Sequence, residues 1–276
     1  MESSPQLPAQ WSHRPLVYFW TGGWIGVGAS IGVVAPHTHH AVQVTLGLSG
    51  QIRFQGPEGP WHDYEGAVIR PNVTHSFDGR MEMITMLFVD PECHEGRWLT
   101  HSLKEAVTAV PRERFAPHLQ PLLDFYARPP SAAEAARLIT AVVHSLCEGP
   151  PPPRTMDERI GRALAWVRAR DPRGISQEEV AREVFLSASR FAHLFTDEVG
   201  LPFRRYLLWR KLNLALNAFG RGLNLSEAAH AAGFSDSAHL TRTFHQMFGL
   251  SPSVMVGTAE FREIPAPFEV ALPSAS

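Results

Sequence analysis

Residues 36–44 read PHTHHAVQV and place His37, His39 and His40 within four positions, just ahead of an alternating apolar run. Side chains two apart on a β-strand point the same way, so His37 and His39 would share a face. Two imidazoles on one face can grip a metal ion, as in a metalloenzyme, or serve another purpose on the same scaffold. A second stretch, SDSAHLTRTFHQMFG at 235–249, carries different chemistry. Leu240, Phe244 and Met247 are spaced for the buried face of a helix, which leaves Ser237, His239, Thr241 and Arg242 largely on other faces. Small hydrogen-bonding side chains with one arginine, at the N-terminal end of a helix, suit the reading of base edges, and arginine can grip O6 and N7 of guanine.

Other chemistries find no support. There is no nucleophile elbow and no phosphate-binding loop, and the glycines of GGWIGVGASIG (22–32) lead into no helix, so they read as strand bends. Cys93 and Cys147 form no CxxC pair, which suits a reduced, cytoplasmic chain. The opening MESSPQLPAQ has no basic start followed by an apolar block, and no stretch approaches the roughly 20 apolar residues that span a bilayer. The expectation is a cytoplasmic protein with no membrane partner.

These residues need two kinds of element to hold them. At 276 residues, 44% of them hydrophobic and 19% charged, the chain suggests two globular domains. The net charge of −2 is unevenly spread: residues 1–153 sum to −4, residues 154–256 to +4 and the last twenty to −2. Composition breaks at EGPPPPR (148–154), where four prolines favour an extended spacer over helix. Upstream, short β-branched and aromatic runs separated by Gly/Pro turns point to a barrel or sandwich, with Val42, Val44, Leu46 and Leu48 on one face. RWLTHSLKEAVTAV and SAAEAARLITAVVHSLC have helical spacing, so a helical pair is expected to close this domain. Downstream nearly everything reads as helix. Thr155 with Glu158 and Ser176 with Glu179 are capping-box signatures.

The second half contains one pattern twice: ISQEEVAREVFLSASRFAHLFTDEVGLP from 175 and LNLSEAAHAAGFSDSAHLTRTFHQMFGLSP from 223. Each has a short helix, a turn, and a helix with phenylalanines four apart (Phe191 and Phe195; Phe244 and Phe248). Each matches a helix-turn-helix, in which a short helix braces one that can enter a major groove. In the second unit Gly233 would supply positive φ, Phe234 would plug the core, and Asp236 or Ser235 would cap the next helix.

Residues 157–253 resemble the AraC/XylS family of bacterial transcription regulators, most specifically at AAGFSDSAHLTRTFHQMFGLSP. Carried over by position, that resemblance implies DNA contacts at Ser189, Arg190, Ala192 and His193 in the first unit. In the second it implies Ser237, Ala238, His239, Thr241 and Arg242. Arg204 and Arg205, with Arg154, Arg162 and Arg221, are candidate phosphate contacts. Ala228 stands where the family usually has isoleucine, and VMVG replaces its usual Tyr-Arg ending. Asp197 and Glu198 would repel phosphate, so the second unit is expected to carry more of the specificity.

Residues 32–75 resemble a cupin barrel. HTHHAVQVTLGLSG fits its first motif with Gln43 in place of glutamate, and GAVIRPNVTH resembles its second, ending in His75. The resemblance makes His37, His39, Gln43 and His75 the usual ligand positions. Three imidazoles would suit Zn, Fe, Cu or Ni, but Gln43 cannot supply the usual carboxylate. In regulators of the AraC/XylS type such a domain holds a small-molecule effector, so the four residues are expected to line an effector pocket without metal or cofactor. Trp20, Trp24, Trp61, Phe54 and Phe77 are candidates for its apolar walls. The expected architecture is α+β in two domains. A cupin-like β-barrel with trailing helices (1–150) senses an effector and dimerises, and an all-α domain with two helix-turn-helix units (154–256) binds promoter DNA. No enzymatic activity is expected, and RNA polymerase is a candidate partner. The alternative is a cupin metalloenzyme or metal sensor fused to a DNA-binding domain.

Overall fold

The computed structural model describes residues 14–101, 103–150 and 156–268. The apolar runs after Pro15 form β1 (Leu16–Trp20) and β2 (Gly23–Ala29), and the histidine stretch ends β3 (Val33–His37) and leads into β4 (Val42–Gly47). β5 (Ile52–Gln55), β6 (Trp61–Tyr64), β7 (Gly66–Ile69), β8 (His75–Asp78) and β9 (Met83–Val89) follow, with α1 (His94–His101) and β10 (Val107–Val110). A seven-stranded sheet has the order β10-β7-β4-β9-β2-β1-β11 and a four-stranded sheet the order β3-β8-β5-β6, β11 being Glu260–Glu263. Among the described residues the two sheets pack face to face without closing into one continuous barrel.

The large sheet is buried on both faces, which explains why β1 is apolar at every position. One face carries Leu16, Tyr18, Val42, Val44 and Leu46 and packs on α1, α2 (Arg112–Ala127) and α3 (Ala132–Leu146). The expected alternation of Val42, Val44, Leu46 and Leu48 is therefore observed, all four in one core. The opposite face is shared. Ala67, Ile69, Ile84 and Val107 receive the small sheet through Ile52, Phe54 and Phe77. Val17, Phe19, Trp24 and Phe88 receive the helical C-terminal half.

That half comprises α4 (Glu158–Arg168), α5 (Gln177–Glu183), α6 (Ala188–Val199), α7 (Phe203–Gly220), α8 (Leu225–Ala231), α9 (Ser237–Phe248) and α10 (Pro252–Thr258). Asp157 caps α4, Ser176 caps α5 and Asn224 with Glu227 forms a capping box on α8. Prolines 151–153, Arg154 and Thr155, and with them the first expected capping box, lie outside the described residues.

Three elements depart from the expected pattern. RWLTHSLKEAVTAV is not one helix: it breaks after His101, and Val107–Val110 pairs antiparallel with β7, because three valines and threonines in a row of four gain more from a sheet edge. α2 forms despite Pro117 and Pro121 inside it, since Phe115, Leu122, Phe125 and Tyr126 are all buried against the sheet. β11, beyond residue 256, returns to the N-terminal sheet and pairs parallel with β1.

Candidate functional site

The two helix-turn-helix units are built alike. In the second, Gly233 has φ 79°, its N–H donates to His230 O at 3.1 Å, and Phe234 N–H donates to Ala229 O at 2.9 Å. In the first, Phe185 has φ 58°, its N–H donates to Arg182 O at 3.1 Å, and Leu186 N–H donates to Ala181 O at 2.8 Å. Phe185 therefore occupies the left-handed position that Gly233 fills in the second unit, and it is 87% exposed there.

The N-terminal ends of α6 and α9 face solvent. Ser187 accepts from Arg190 N and Asp236 accepts from His239 N at 2.7 Å, fixing the first turn of each. Ser189, Arg190 and His193 are exposed and Ala192 half-buried on α6. On α9, Ala238 and Arg242 are exposed, while Ser237, His239 and Thr241 are half-buried. The His239 ring stands edge-on to Phe234, with Nδ1 3.2 Å from Ser235 Oγ. Arg204 and Arg205 are exposed on the first turn of α7, and Arg162 on α4. Arg221 instead pairs with Glu263 of β11 at 2.8 Å. A groove of about 810 Å³ beside α8 and α9 is lined by Arg173, Lys211, His230, Ser237 and His239.

The four predicted effector residues come together under the end of α9: His37 and His75 are paired across β3 and β8 of the small sheet, His39 follows β3, and Gln43 is on β4 of the large sheet. His37 is 6% exposed, His39 2%, Gln43 1% and His75 1%. Ring centres are 4.3 Å apart for His37 and His75 and 5.1 Å for His39 and His75. His37 Nδ1 lies 2.8 Å from Ala35 O, and His75 Nδ1 lies 3.0 Å from Val73 O. Gln43 Oε1 is 2.8 Å from His39 Nε2 and 3.2 Å from His75 Nε2, and Gln43 Nε2 donates to Thr45. Burial lowers the pKa of all three histidines, to about 3 for His75, so the cluster is neutral at physiological pH. One ring nitrogen from each histidine lies within 4.8 Å of the others, so the trio is also a candidate metal centre.

α9 rests on this cluster by its C-terminal end. His39 is 6.4 Å from the Phe248 ring and 6.4 Å from the Trp209 ring. Thr38 N–H donates to Gln246 O. Gly249, at φ 69°, comes so close that a Cβ there would sit 2.4 Å from Ala35 O and 2.9 Å from His37 Nδ1.

The first unit is held by an ionic contact that sequence reasoning missed. Arg168, on the last turn of α4, donates to Asp90 at 2.7 Å and lies 3.3 Å from Glu92. Glu92 is in turn 2.6 Å from His40 Nε2, and Asn72, 3.1 Å from His40 Nδ1, donates to Gly200 O beyond α6. Burial opposes the His40 charge, but Glu92 outweighs it and raises the pKa. Glu92, although burial opposes its charge too, is held low by His40 and Arg168, while burial and Glu92 together push Asp90 up. The only sequence signal was two carboxylates just past a strand, which ordinarily reads as a loop.

None of His37, His39, Gln43 or His75 lines the apolar cavity at the seam, which measures about 140 Å³. Its walls include Val17, Trp24, Ile31, Phe77 and Met86 from the sheets and Leu250 just past α9. Of the expected apolar walls, Trp24 and Phe77 thus face the cavity, whereas Trp20 belongs to the core on the other side of the large sheet. Phe54 packs between the sheets and Trp61 lies half-buried on β6.

Residues 180–256 match a family described as a helix-turn-helix domain. A 99-residue stretch is 32% identical to the probable transcriptional regulator LumQ of Photobacterium leiognathi, covering 35% of this chain and 40% of that protein. A 130-residue stretch is 29% identical to the uncharacterized HTH-type transcriptional regulator YijO of Escherichia coli, covering 45% and 46%. The chain thus spans less than half the length of these curated relatives. An apo ToxT structure from Vibrio cholerae superposes with a TM-score of 0.59 at 9% identity, covering 86% of this chain and 97% of that one. ToxT with an unsaturated fatty acid bound superposes with a TM-score of 0.54 at 11% identity, over 92% and 97%. The two-domain fold is therefore shared with ToxT. Among the described residues no helix is long and apolar enough to cross a membrane.

Proposed function

We propose that the C-terminal half of this chain is a double helix-turn-helix domain of the AraC/XylS type and that the chain is a sequence-specific, DNA-binding transcription regulator. The observation that carries the reading is the pair of capped helices α6 and α9, whose N-terminal ends are exposed on the segment that matches the helix-turn-helix family. Arg242 reads a guanine, with Ser237, Ala238, His239 and Thr241 beside it. Ser189, Arg190, Ala192 and His193 make the weaker contacts of the first unit. Arg162, Arg204 and Arg205 touch phosphate, which positions without reading sequence. Arg221, whose ion pair with Glu263 is exposed, joins them.

The N-terminal domain takes a small-molecule effector, as a ToxT structure holds a fatty acid, and the seam cavity is where such a molecule reaches both domains at once. The protein works in the cytoplasm as a homodimer addressing two half-sites, in contact with RNA polymerase, and catalyses no reaction. The test is fluorescence anisotropy on promoter DNA. Arg242→Ala costs about 1–3 kcal/mol at the cognate site and relaxes one base position. Affinity also falls steeply with salt. Equal weakening on random and cognate DNA would make Arg242 a phosphate contact, and a salt-independent affinity would refute the reading.

A further inference from the structure

Resting on the reading of the seam cavity as the effector site, we propose that its ligand is one uncharged, single-ring aromatic molecule and that Gly26 makes room for it. On β2, Ile25 and Val27 face the core packed on α1, α2 and α3, whereas Trp24, Gly26 and Gly28 alternate with them on the opposite face. A glycine inside a strand gives up strand propensity and packing, so it marks a bulge, a bend, or the close approach of a ligand or another backbone. β2 has no bulge: it pairs with β1 and β9 in unbroken register. Gly28 is explained by Pro15, because a Cβ at 28 would lie 2.8 Å from the proline ring. Gly26 has no such neighbour. A Cβ there would meet nothing closer than 3.4 Å, an ordinary contact, and its φ is not left-handed. What the missing side chain leaves is space, and Gly26 stands in the wall of the cavity of about 140 Å³.

The walls decide what fits. Among the described residues none that lines the cavity carries a charge. Its polar side-chain atoms, Trp24 Nε1 and Ser30 Oγ, are neutral, buried and without a hydrogen-bond partner. A carboxylate or ammonium taken in here would give up its water and find no counter-charge. A neutral molecule loses far less. An apolar cavity of roughly 150 Å³ holds one benzene-sized molecule, so a long acyl chain exceeds the space. The rings of Trp24 and Phe77 in the wall favour an aromatic guest. Ile31 and Val254 also line the cavity and are exposed, which makes its entrance apolar. Val17 and Met86 belong to the large sheet, and Leu250 and Met255 to the helical half, so one small ring touches both domains.

The test compares toluene with benzoate, the same ring bearing a charge, on the full-length chain labelled with ¹³C at its methionine methyls. Toluene should bind saturably and raise the thermal midpoint. Its ring current should shift the Met86 and Met255 methyls and leave Met156, in the core of the first unit, in place. Benzoate should bind at least about tenfold more weakly. Gly26→Val, whose side chain takes the space, should weaken toluene at least about tenfold. The proposal is overturned if toluene does not saturate, if benzoate binds as tightly, or if Gly26→Val changes nothing. Should that variant fail to fold by circular dichroism, the wild type decides: toluene bound without the Met86 and Met255 shifts sits elsewhere and overturns the proposal. Anisotropy on promoter DNA separates the two readings. Toluene bound in the cavity with DNA affinity unchanged supports the ligand and refutes its role as effector. A different molecule that alters DNA affinity where toluene does not bind overturns the ligand and keeps the effector reading.

Discussion

The two helix-turn-helix units are near copies of each other, yet they are seated on the N-terminal domain by opposite chemistry. The second rests on three neutral histidines and the rings of Trp24 and Phe88. The first is tied down by Arg168, two carboxylates and His40. Neutral imidazoles lose by gaining a proton, whereas the ionic seat loses when His40 gives one up. One molecule therefore holds its two helix-turn-helix units with contacts of opposite pH sense.

The largest way to break this comparison is at Arg168. Arg168→Met leaves Asp90 and Glu92 facing each other without their guanidinium, and should cost about 3–5 kcal/mol in denaturant unfolding. Hydrogen exchange should rise around α4 and Gly200 and stay low around α9. A loss spread evenly over both units would refute separate seats.

Acid should do the reverse. Histidines whose folded pKa lies below the ordinary 6.5 are fully stabilising above that pH, and the stability drains away as pH falls toward the folded value, about 3 for His75. Each contributes a slope of up to about 1.4 kcal/mol per pH unit. His40 is raised instead, so its contribution is complete below 6.5 and is lost as pH climbs through its folded value. Between pH 6.5 and 4.5, exchange should therefore increase around α9 while the α4 contact holds. Stability independent of pH in that window would mean the trio is not buried in solution.

Gly249→Ala tests the second seat alone. The left-handed φ and the clash with Ala35 O should cost about 2 kcal/mol and lift the end of α9, measured by thermal unfolding and exchange at Thr38. The smallest change sharpens the comparison from outside both seats. Phe185→Gly relieves a left-handed phenylalanine in the first turn and should stabilise by about 0.5–1 kcal/mol, with both seats unaltered.

The elements that local pattern dictates were legible in the sequence. The alternation from Val42 to Leu48, the caps at Ser176 and Asp236, and the Gly233–Phe234 turn all follow from side-chain period and backbone freedom. What escaped depends on partners far away in the chain. Val107–Val110 became a strand because β7 offered an edge, and α2 tolerates two prolines because the sheet buries its aromatic residues. The site divides the same way. His37, His39, Gln43 and His75 were singled out by spacing and resemblance, and they do meet. That they meet beneath α9, and that Arg168 would find Asp90, required the packing of one half on the other, which no local periodicity encodes.

The parallel pairing of β11 with β1 has a mechanical consequence. The helical half is covalently joined to the β-domain before α4 and hydrogen-bonded to it again after α10. It is thus a closed loop rather than a pendant. Closing that loop concentrates each seat near its partner, so a unit that lets go recaptures quickly. Full release requires peeling β11 from the sheet edge, where Glu260–Glu263 is only four residues long. That short strand acts as a zip fastener: its four residues are what must open before the helical half can swing away from the β-domain.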